Sequence, residues 1–339
     1  MKRALRRPAF VAVITAGALV MSASAGFAKA PKPTPKPAPA GGLTVRYQYT
    51  LPNAVTSRYR VPLATEAPDG VVFFAHATTI YRTAGEQTRA AVDINDRVYA
   101  LAASASMLVV ETPTDVLAYD RYTGKRIGDW DVEQAGDYAP SLAISGNVIW
   151  SLIDPATNNS GLEPATLYEL QVGHPLRTIT EQAAPIALAV DGAGDAFFVG
   201  FGGRLERVSP TGSTKKSADS AYSAASLAYI GGTLIAEIDN VSTVVDEINP
   251  GTLGVISSNK GHAGDYADLA VTSIGDLSLS NACETTKYCA KTAVRRIELP
   301  DSPGPQLTVA YGGAVMGPDP VVLEMPTGSK PQLVGLGLA

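Results

Sequence analysis

The chain has 339 residues, with 27 basic and 32 acidic side chains, a net charge of −5 and 45% hydrophobic residues. That apolar content suits a folded domain, and the acidic balance argues against a phosphate backbone or an anionic lipid surface as partner. Two cysteines and three histidines leave little material for thiol or metal chemistry.

Taken in chain order, residues 1–28 read as a secretory signal. Lys2, Arg3, Arg6 and Arg7 form a positive start, Ala9 to Met21 is apolar, and Ala23-Ser24-Ala25 and Gly26-Phe27-Ala28 offer cleavage sites. The apolar run is short for a bilayer span of ~20 residues, and no cysteine before Cys283 is present to carry a lipid. The expected location is therefore secreted, or periplasmic and cell-envelope. Residues 29–42 form a proline-rich linker, PKPTPKPAPA at its centre, whose composition predicts a semi-rigid polyproline spacer. From residue 31 onward there are 22 basic and 32 acidic residues, a net charge near −10.

From residue 43 to 339 the pattern is short apolar runs separated by turns, with no sustained helical period. The strongest runs are Val71–Ala75, Met107–Thr112, Val148–Ile153, Ala196–Phe201, Leu234–Ile238 and Leu277–Ser280. Each follows another short run and a turn. Several are apolar on successive residues, which suits strands covered on both faces. Their mean spacing is near 41 residues, within the range of propeller blades. The expectation is an all-β domain, a β-propeller of seven blades, with six if the connections are looser. The last blade combines Pro320–Met325 and Gln332–Leu338 with Thr44–Leu51, so that both ends of the chain close the ring.

Two stretches resemble known repeats. Ile186 to Gly212 (IALAVDGAGDAFFVGFGGRLERVSPTG) is similar to NHL-type and SMP-30-like propeller repeats, in which an Asp-Gly hairpin joins the first two strands. Leu117 to Trp130 (LAYDRYTGKRIGDW) resembles the PQQ-type repeat, and Leu205–Gly212 and Val244–Gly254 are looser forms of its strand and turn. The resemblance implies the propeller architecture. It assigns no activity, since such repeats serve enzymes and binding modules alike.

A five-residue echo marks a candidate site: Ala135-Gly136-Asp137-Tyr138-Ala139 returns 128 residues later as Ala263-Gly264-Asp265-Tyr266-Ala267. The step is three units of about 43 residues. A related segment carries Asp219 and Tyr222, and His262 and Asp268 flank the second copy. All three segments precede a predicted first strand, which in a propeller brings them towards one mouth. Carboxylates there would bind a cation or sugar hydroxyls, and tyrosines would stack on a sugar or peptide. The same residues also suit loop bonding and wedging between blades.

Cys283 and Cys289 enclose five residues and, in an exported chain, form a small disulfide loop. The histidines His76, His174 and His262 show no paired metal spacing, and Asp191 to Asp195 reads as a hairpin turn. No cofactor is implied. The sequence thus points to a monomeric, exported, non-enzymatic propeller that binds a protein, peptide or glycan. The competing reading is a metal-dependent hydrolase, lactonase or lyase with Asp137, Asp219 and Asp265 in the channel.

Overall fold

The computed structural model describes residues 43–50, 64–76, 78–84, 87–132, 141–153, 165–200, 203–216, 224–230, 232–238, 244–260, 267–272, 275–281, 291–298, 302–310, 312–316, 321–324 and 332–338. These residues form 27 strands. Among them no helix is long and apolar enough to cross a membrane.

The first strand, β1 (Leu43–Thr50), stands apart from those that follow it in sequence. Then come antiparallel groups. One holds β2 (Ala64–Glu66), β3 (Val72–His76), β4 (Thr79–Ala84) and β5 (Gln87–Asp93). The next holds β6 (Ala100–Ala103), β7 (Met107–Glu111), β8 (Asp115–Asp120) and β9 (Arg126–Asp131). A seven-stranded sheet follows: β10 (Ser141–Ser145), β11 (Val148–Ile153), β12 (Ala165–Gln171), β13 (Arg177–Val190), β14 (Ala196–Gly200), β15 (Leu205–Val208) and β16 (Thr214–Lys216). After it lie β17 (Ala224–Ile230), β18 (Thr233–Ile238), β19 (Val244–Ile248) and β20 (Val255–Lys260). A further group is β21 (Ala267–Thr272), β22 (Gly275–Asn281), β23 (Lys291–Glu298) and β24 (Ser302–Ala310). The last sheet has β25 (Gly312–Met316), β26 (Val321–Glu324) and β27 (Gln332–Leu338), with β1 beside β27.

The architecture is an all-β propeller of repeated antiparallel sheets. Five of the six strong apolar runs of the sequence fall on the second strand of a group, β3, β7, β11, β18 or β22, and the sixth falls on β14 of the seven-stranded sheet. Where burial is described these strands are shut away on both faces: every residue of β7 and of β14 is buried. First strands touch in cyclic order, β2 to β6, β6 to β10, β10 to β13, β13 to β17, β17 to β21, β21 to β25, and β25 back to β2. Apolar clusters fill the spaces between neighbouring groups. One unites Phe73, Ile80 and Val92 with Leu108, Val110 and Leu117, and another unites Val109 and Trp130 with Ile149, Tyr168 and Leu170.

The hydrogen-bonded sheets number six, not the seven expected. The reason lies in β13. Its 14 residues pair with β12 through Arg177 to Ala183 and with β14 through Ala183 to Val190, so two runs of four strands share one strand and merge into a single sheet. No break separates the end of one unit from the start of the next.

β1 pairs antiparallel with β27, from Leu43 opposite Leu338 to Thr50 opposite Gln332, with a bulge at Arg46. Two glycines receive it. The Tyr47 ring covers Gly335 and the Arg46 side chain covers Gly337, so that a side chain at either glycine would collide with them. Aromatic cover of a strand glycine is a recognised stabilising device. We expect Gly335→Val to destabilise the fold by ~1–3 kcal/mol through overpacking against Tyr47. Chemical denaturation checks this, and Tyr47→Ala should recover part of the loss in the double variant.

Candidate functional site

The repeat motifs locate the best-described chemistry, which lies in the turns between third and fourth strands. In the β8–β9 turn, Asp120 Oδ1 accepts hydrogen bonds from the backbone of Tyr122 and Thr123, at 3.1 and 2.8 Å, and from Thr123 Oγ1 at 2.8 Å. Those donors hold the Asp120 carboxyl below its ordinary pKa, Thr123 foremost. Gly124 takes φ +71° and comes so near β5 that a Cβ would lie 2.6 Å from the Ala91 carbonyl. Trp130 then folds over Gly128.

The same device recurs. In the β15–β16 turn Ser209 Oγ accepts from Ser213 N–H at 3.0 Å, and in the β19–β20 turn Asn249 Oδ1 accepts from the N–H groups of Gly251 and Thr252, each at 2.9 Å. The Asp191–Asp195 turn is likewise self-contained. Asp191 Oδ1 accepts from Ala193 and Asp195 N–H at 2.9 Å each, and the Asp195 carboxylate accepts from Arg207 Nε at 2.6 Å. These motif residues are committed to their own turns and to neighbouring strands. The Asp191–Asp195 turn is the expected hairpin, and its acids are already bonded.

Side chains from one unit reach turns of the next. Trp130 Nε1 donates to the His174 carbonyl at 3.2 Å, Trp150 Nε1 to that of Gly194 at 2.9 Å, and Arg207 Nη1 to that of Pro250 at 3.4 Å. The steps are 44, 44 and 43 residues, so the repeat length is written in side-chain bonds as well as in strands. Arg121 makes a two-point link: it is 4% exposed, donates to both carboxylate oxygens of Asp69 at 2.8 and 2.5 Å, and donates to the Ala105 carbonyl at 2.8 Å. That Arg121 contact lowers the Asp69 pKa. A groove of about 410 Å³ opens between the end of β5 and the β8–β9 turn, lined by Asp93, Asn95, Tyr119, Gly124 and Arg126 among others.

Sequence reasoning missed a strongly perturbed buried carboxyl, Glu111. It ends β7 in the run Met107-Leu108-Val109-Val110-Glu111, every residue of which is buried. Alternation puts Glu111 on the face of Val109, and puts Ser151 on the face of Ile149 and Ile153, which with Val109 belong to one apolar cluster. Ser151 Oγ donates to Glu111 Oε2 at 3.0 Å, while Oε1 is buried with no hydrogen-bond partner among the described residues. Burial pushes this carboxyl up to about 8, against a lowering by Ser151. A charge directly after an apolar run of four was the signal available in the sequence.

The candidate residues named from sequence fall mostly elsewhere. Asp137, Tyr138, Asp219, Tyr222, His262, Asp265 and Tyr266 lie outside the described residues, as do Cys283 and Cys289 and residues 1–42. Asp268 is in β21, opposite Leu279 of β22. His174 sits exposed in the β12–β13 turn, where its carbonyl serves Trp130, and His76 ends β3 opposite Thr79. Among the described residues, no group of three His, Cys, Asp or Glu side chains could hold a metal ion.

No protein-family model matches the sequence, and no curated protein matches it. Solved structures do. A chain of the crystal structure of the mitotic checkpoint complex is 13% identical, with a TM-score of 0.65 over 96% of this chain and 98% of that one. PorZ, described as an essential bacterial surface component of the type-IX secretion system of Porphyromonas gingivalis, is 15% identical. Its TM-score is 0.53, over 86% of this chain and 39% of that one. At these identities the likeness is one of fold, and the fold is the propeller.

The buried Glu111 gives a pH test. Its folded pKa lies above the ordinary 4.5, so the native state holds the proton more tightly than the unfolded chain. Its contribution to stability is then fully present below about 4.5 and falls as pH rises to about 8, by up to ~1.4 kcal/mol per unit. Urea unfolding from pH 5 to 9 should show that slope reduced in Glu111→Gln, with the variant the more stable protein at pH 9.

Proposed function

We propose that this protein is an exported propeller that acts as a non-enzymatic binding or scaffold module for a protein, peptide or glycan. The observation that carries the reading is the end of the sheets at which the candidate segments lead into their strands. In an antiparallel group of four, the first turn and the third turn lie at one end, and the chain approaches the first strand at the other. The described turns at the first end bond to themselves and to adjacent units, as a rigid frame does. The segments with Asp137 and Tyr138, with Asp219 and Tyr222, and with His262, Asp265 and Tyr266 lead into β10, β17 and β21 at the opposite end. In this reading they share one mouth of the ring, with Asp268 just inside it.

The finer architecture belongs to the same proposal. β1 pairs with β27 in the last sheet, and in this reading the two ends of the chain thereby close the ring. Residues 1–28 direct export, and the Cys283–Cys289 disulfide clips a loop on the binding side. The mature protein is a monomer. The fold likeness to chains of two protein assemblies agrees with a scaffold role.

Asp137→Ala combined with Asp265→Ala tests it. Peptide and glycan arrays probed with the wild-type protein should return a ligand class whose retention falls at least tenfold in the double variant, with the thermal midpoint unchanged. Equal retention by both proteins would remove the shared site. Stoichiometric Ca²⁺ or Zn²⁺ in the purified wild type, lost in the variant, would instead favour the metal-dependent hydrolase.

A further inference from the structure

The groove between β5 and the β8–β9 turn is lined by polar groups that the framework of the sheets leaves unused. It opens where the sheet of β2–β5 meets the sheet of β6–β9. Leu117 and Tyr119 alternate onto the face of β8 that packs with Phe73, Ile80 and Val92 of the preceding sheet. β5 ends at Asp93, the chain runs on through Ile94 and Asn95, and these residues line the groove together with Tyr119 and Arg126. Its volume of about 410 Å³ falls within the ~300–1,000 Å³ typical of small-ligand sites.

The two walls carry opposite charges. On the β5 side Asp93 Oδ1 accepts from Thr78 Oγ1 at 3.3 Å and from the Asn95 N–H at 3.2 Å. These bonds fix the carboxylate and leave its Oδ2 without a partner among the described residues. Asn95 is held at φ +57°, and its side-chain amide has no partner among them either. On the opposite wall Arg126 gives Nη1 to Asp129 at 3.1 Å and keeps its other nitrogens, with the side chain 57% exposed. Asp93 and Arg126 thus share a groove without forming an ion pair with each other. Opposite charges held apart in this way leave room for a molecule that meets both.

Tyr119 stands in the wall of Arg126 and is also unpaired. It is 6% exposed with its ring in the apolar cluster, and its hydroxyl makes no hydrogen bond among the described residues. A phenol so deeply set normally finds a partner. Burial raises its pKa against the pull of Arg126, so the group stays a neutral hydroxyl beside the guanidinium. Its ring is the one aromatic in the lining and offers no free face, which counts against ligands that bind by stacking. What the walls do offer is a carboxylate and an amide oxygen to receive an ammonium group, and a guanidinium and a hydroxyl to receive a carboxylate. Between them Val92, Ile94 and Leu117 form an apolar floor suited to a short aliphatic stretch.

We propose that this groove binds a short zwitterionic peptide of two or three residues, with its amino end at Asp93 and Asn95 and its carboxylate at Arg126 and Tyr119. The site lies between the outer strands of two neighbouring sheets. It is separate from the mouth of the ring and independent of the ligand assigned there.

Calorimetric titration of the full chain with dialanine, N-acetyl-dialanine and dialanine amide tests both ends of the ligand separately. The expected result is that dialanine binds and that each blocked form binds about tenfold more weakly or worse. Asp93→Asn keeps an oxygen for Thr78 and Asn95, and Tyr119→Phe keeps the ring, so both variants should hold the wild-type thermal midpoint. Asp93→Asn should abolish the preference for dialanine over its N-acetyl form. Tyr119→Phe should weaken dialanine severalfold and leave that preference in place. Where a variant shifts the midpoint, the blocked peptides on the wild type decide alone. Absence of dialanine binding to the wild type at about 10 mM would overturn the proposal. Equal binding of all three peptides would overturn it too, and so would variants of wild-type stability that bind dialanine as the wild type does. The double variant Asp137→Ala with Asp265→Ala should bind dialanine unchanged, which keeps a failure here distinct from a failure at the mouth.

Discussion

A sheet whose second strand is apolar on both faces cannot stand alone, and this constraint governs the rest of the molecule. β7 and β14 bury every residue, which a free four-stranded sheet has no means of doing. Each group must therefore lie between two others, and a set of such groups has no natural end except in a ring. The cyclic contact of first strands is the outcome. Buried area drives this arrangement, at roughly 25 cal/mol per Å² of apolar surface, but area alone does not fix the angle between neighbours. The angle is held by directional bonds. Trp130, Trp150 and Arg207 each reach about one repeat along the chain to a backbone carbonyl, and Arg121 grips Asp69 through both carboxylate oxygens. A buried guanidinium with a two-point partner fixes geometry better than a longer list of apolar contacts.

Glu111 breaks the rule that the space between sheets is apolar. A carboxyl there is retained only as the neutral acid at moderate pH, since one oxygen has Ser151 and the other has no described partner. The loss falls on the native state when that proton leaves. The cations beside other buried acids are already paired: Arg177 is with Glu169, Lys216 with Glu206 and Arg207 with Asp195. Glu169, Asp195 and Glu206 are buried acids that a cation reaches, and Asp246 accepts from Ser258. Glu111 sits where the next strand across offers a serine.

Much of this was legible in the sequence where a local rule decides the outcome. Second strands announce themselves by continuous apolar runs, and the third-to-fourth turns by an Asp, Ser or Asn that bonds the backbone two to four residues on. What was not legible depends on partners far away in the chain. Arg121 looks like a surface charge until Asp69 is placed beside it, 52 residues earlier. The sheet count failed at β13 for a related reason. Residues 177–190 contain no turn signal strong enough to interrupt them, and whether a strand continues through a boundary is settled by both neighbours and not by its own residues. The candidate mouth was read from a repeated five-residue segment, and repetition reports architecture and chemistry with the same letters.

That ambiguity narrows once the turn motifs are explained. Repeats of Asp, Ser or Asn followed by Thr and Gly prove to be framework: their polar atoms are bonded within the turn, and their departures are also structural. Leu253 takes the left-handed position in the last of these turns, at φ +59°, yet is only 2% exposed, so its strain is offset by burial in an apolar cluster. The Gly-Asp-Tyr segments differ in kind. They stand outside the strand-and-turn unit, before the first strand, and the intervening repeat retains the Asp and Tyr while losing the glycine and the spacing. A packing residue is kept by the shape of the place it fills, and spacing is the first thing such a place would preserve. The two exact copies meet that condition, and only the segment with Asp219 and Tyr222 departs from it.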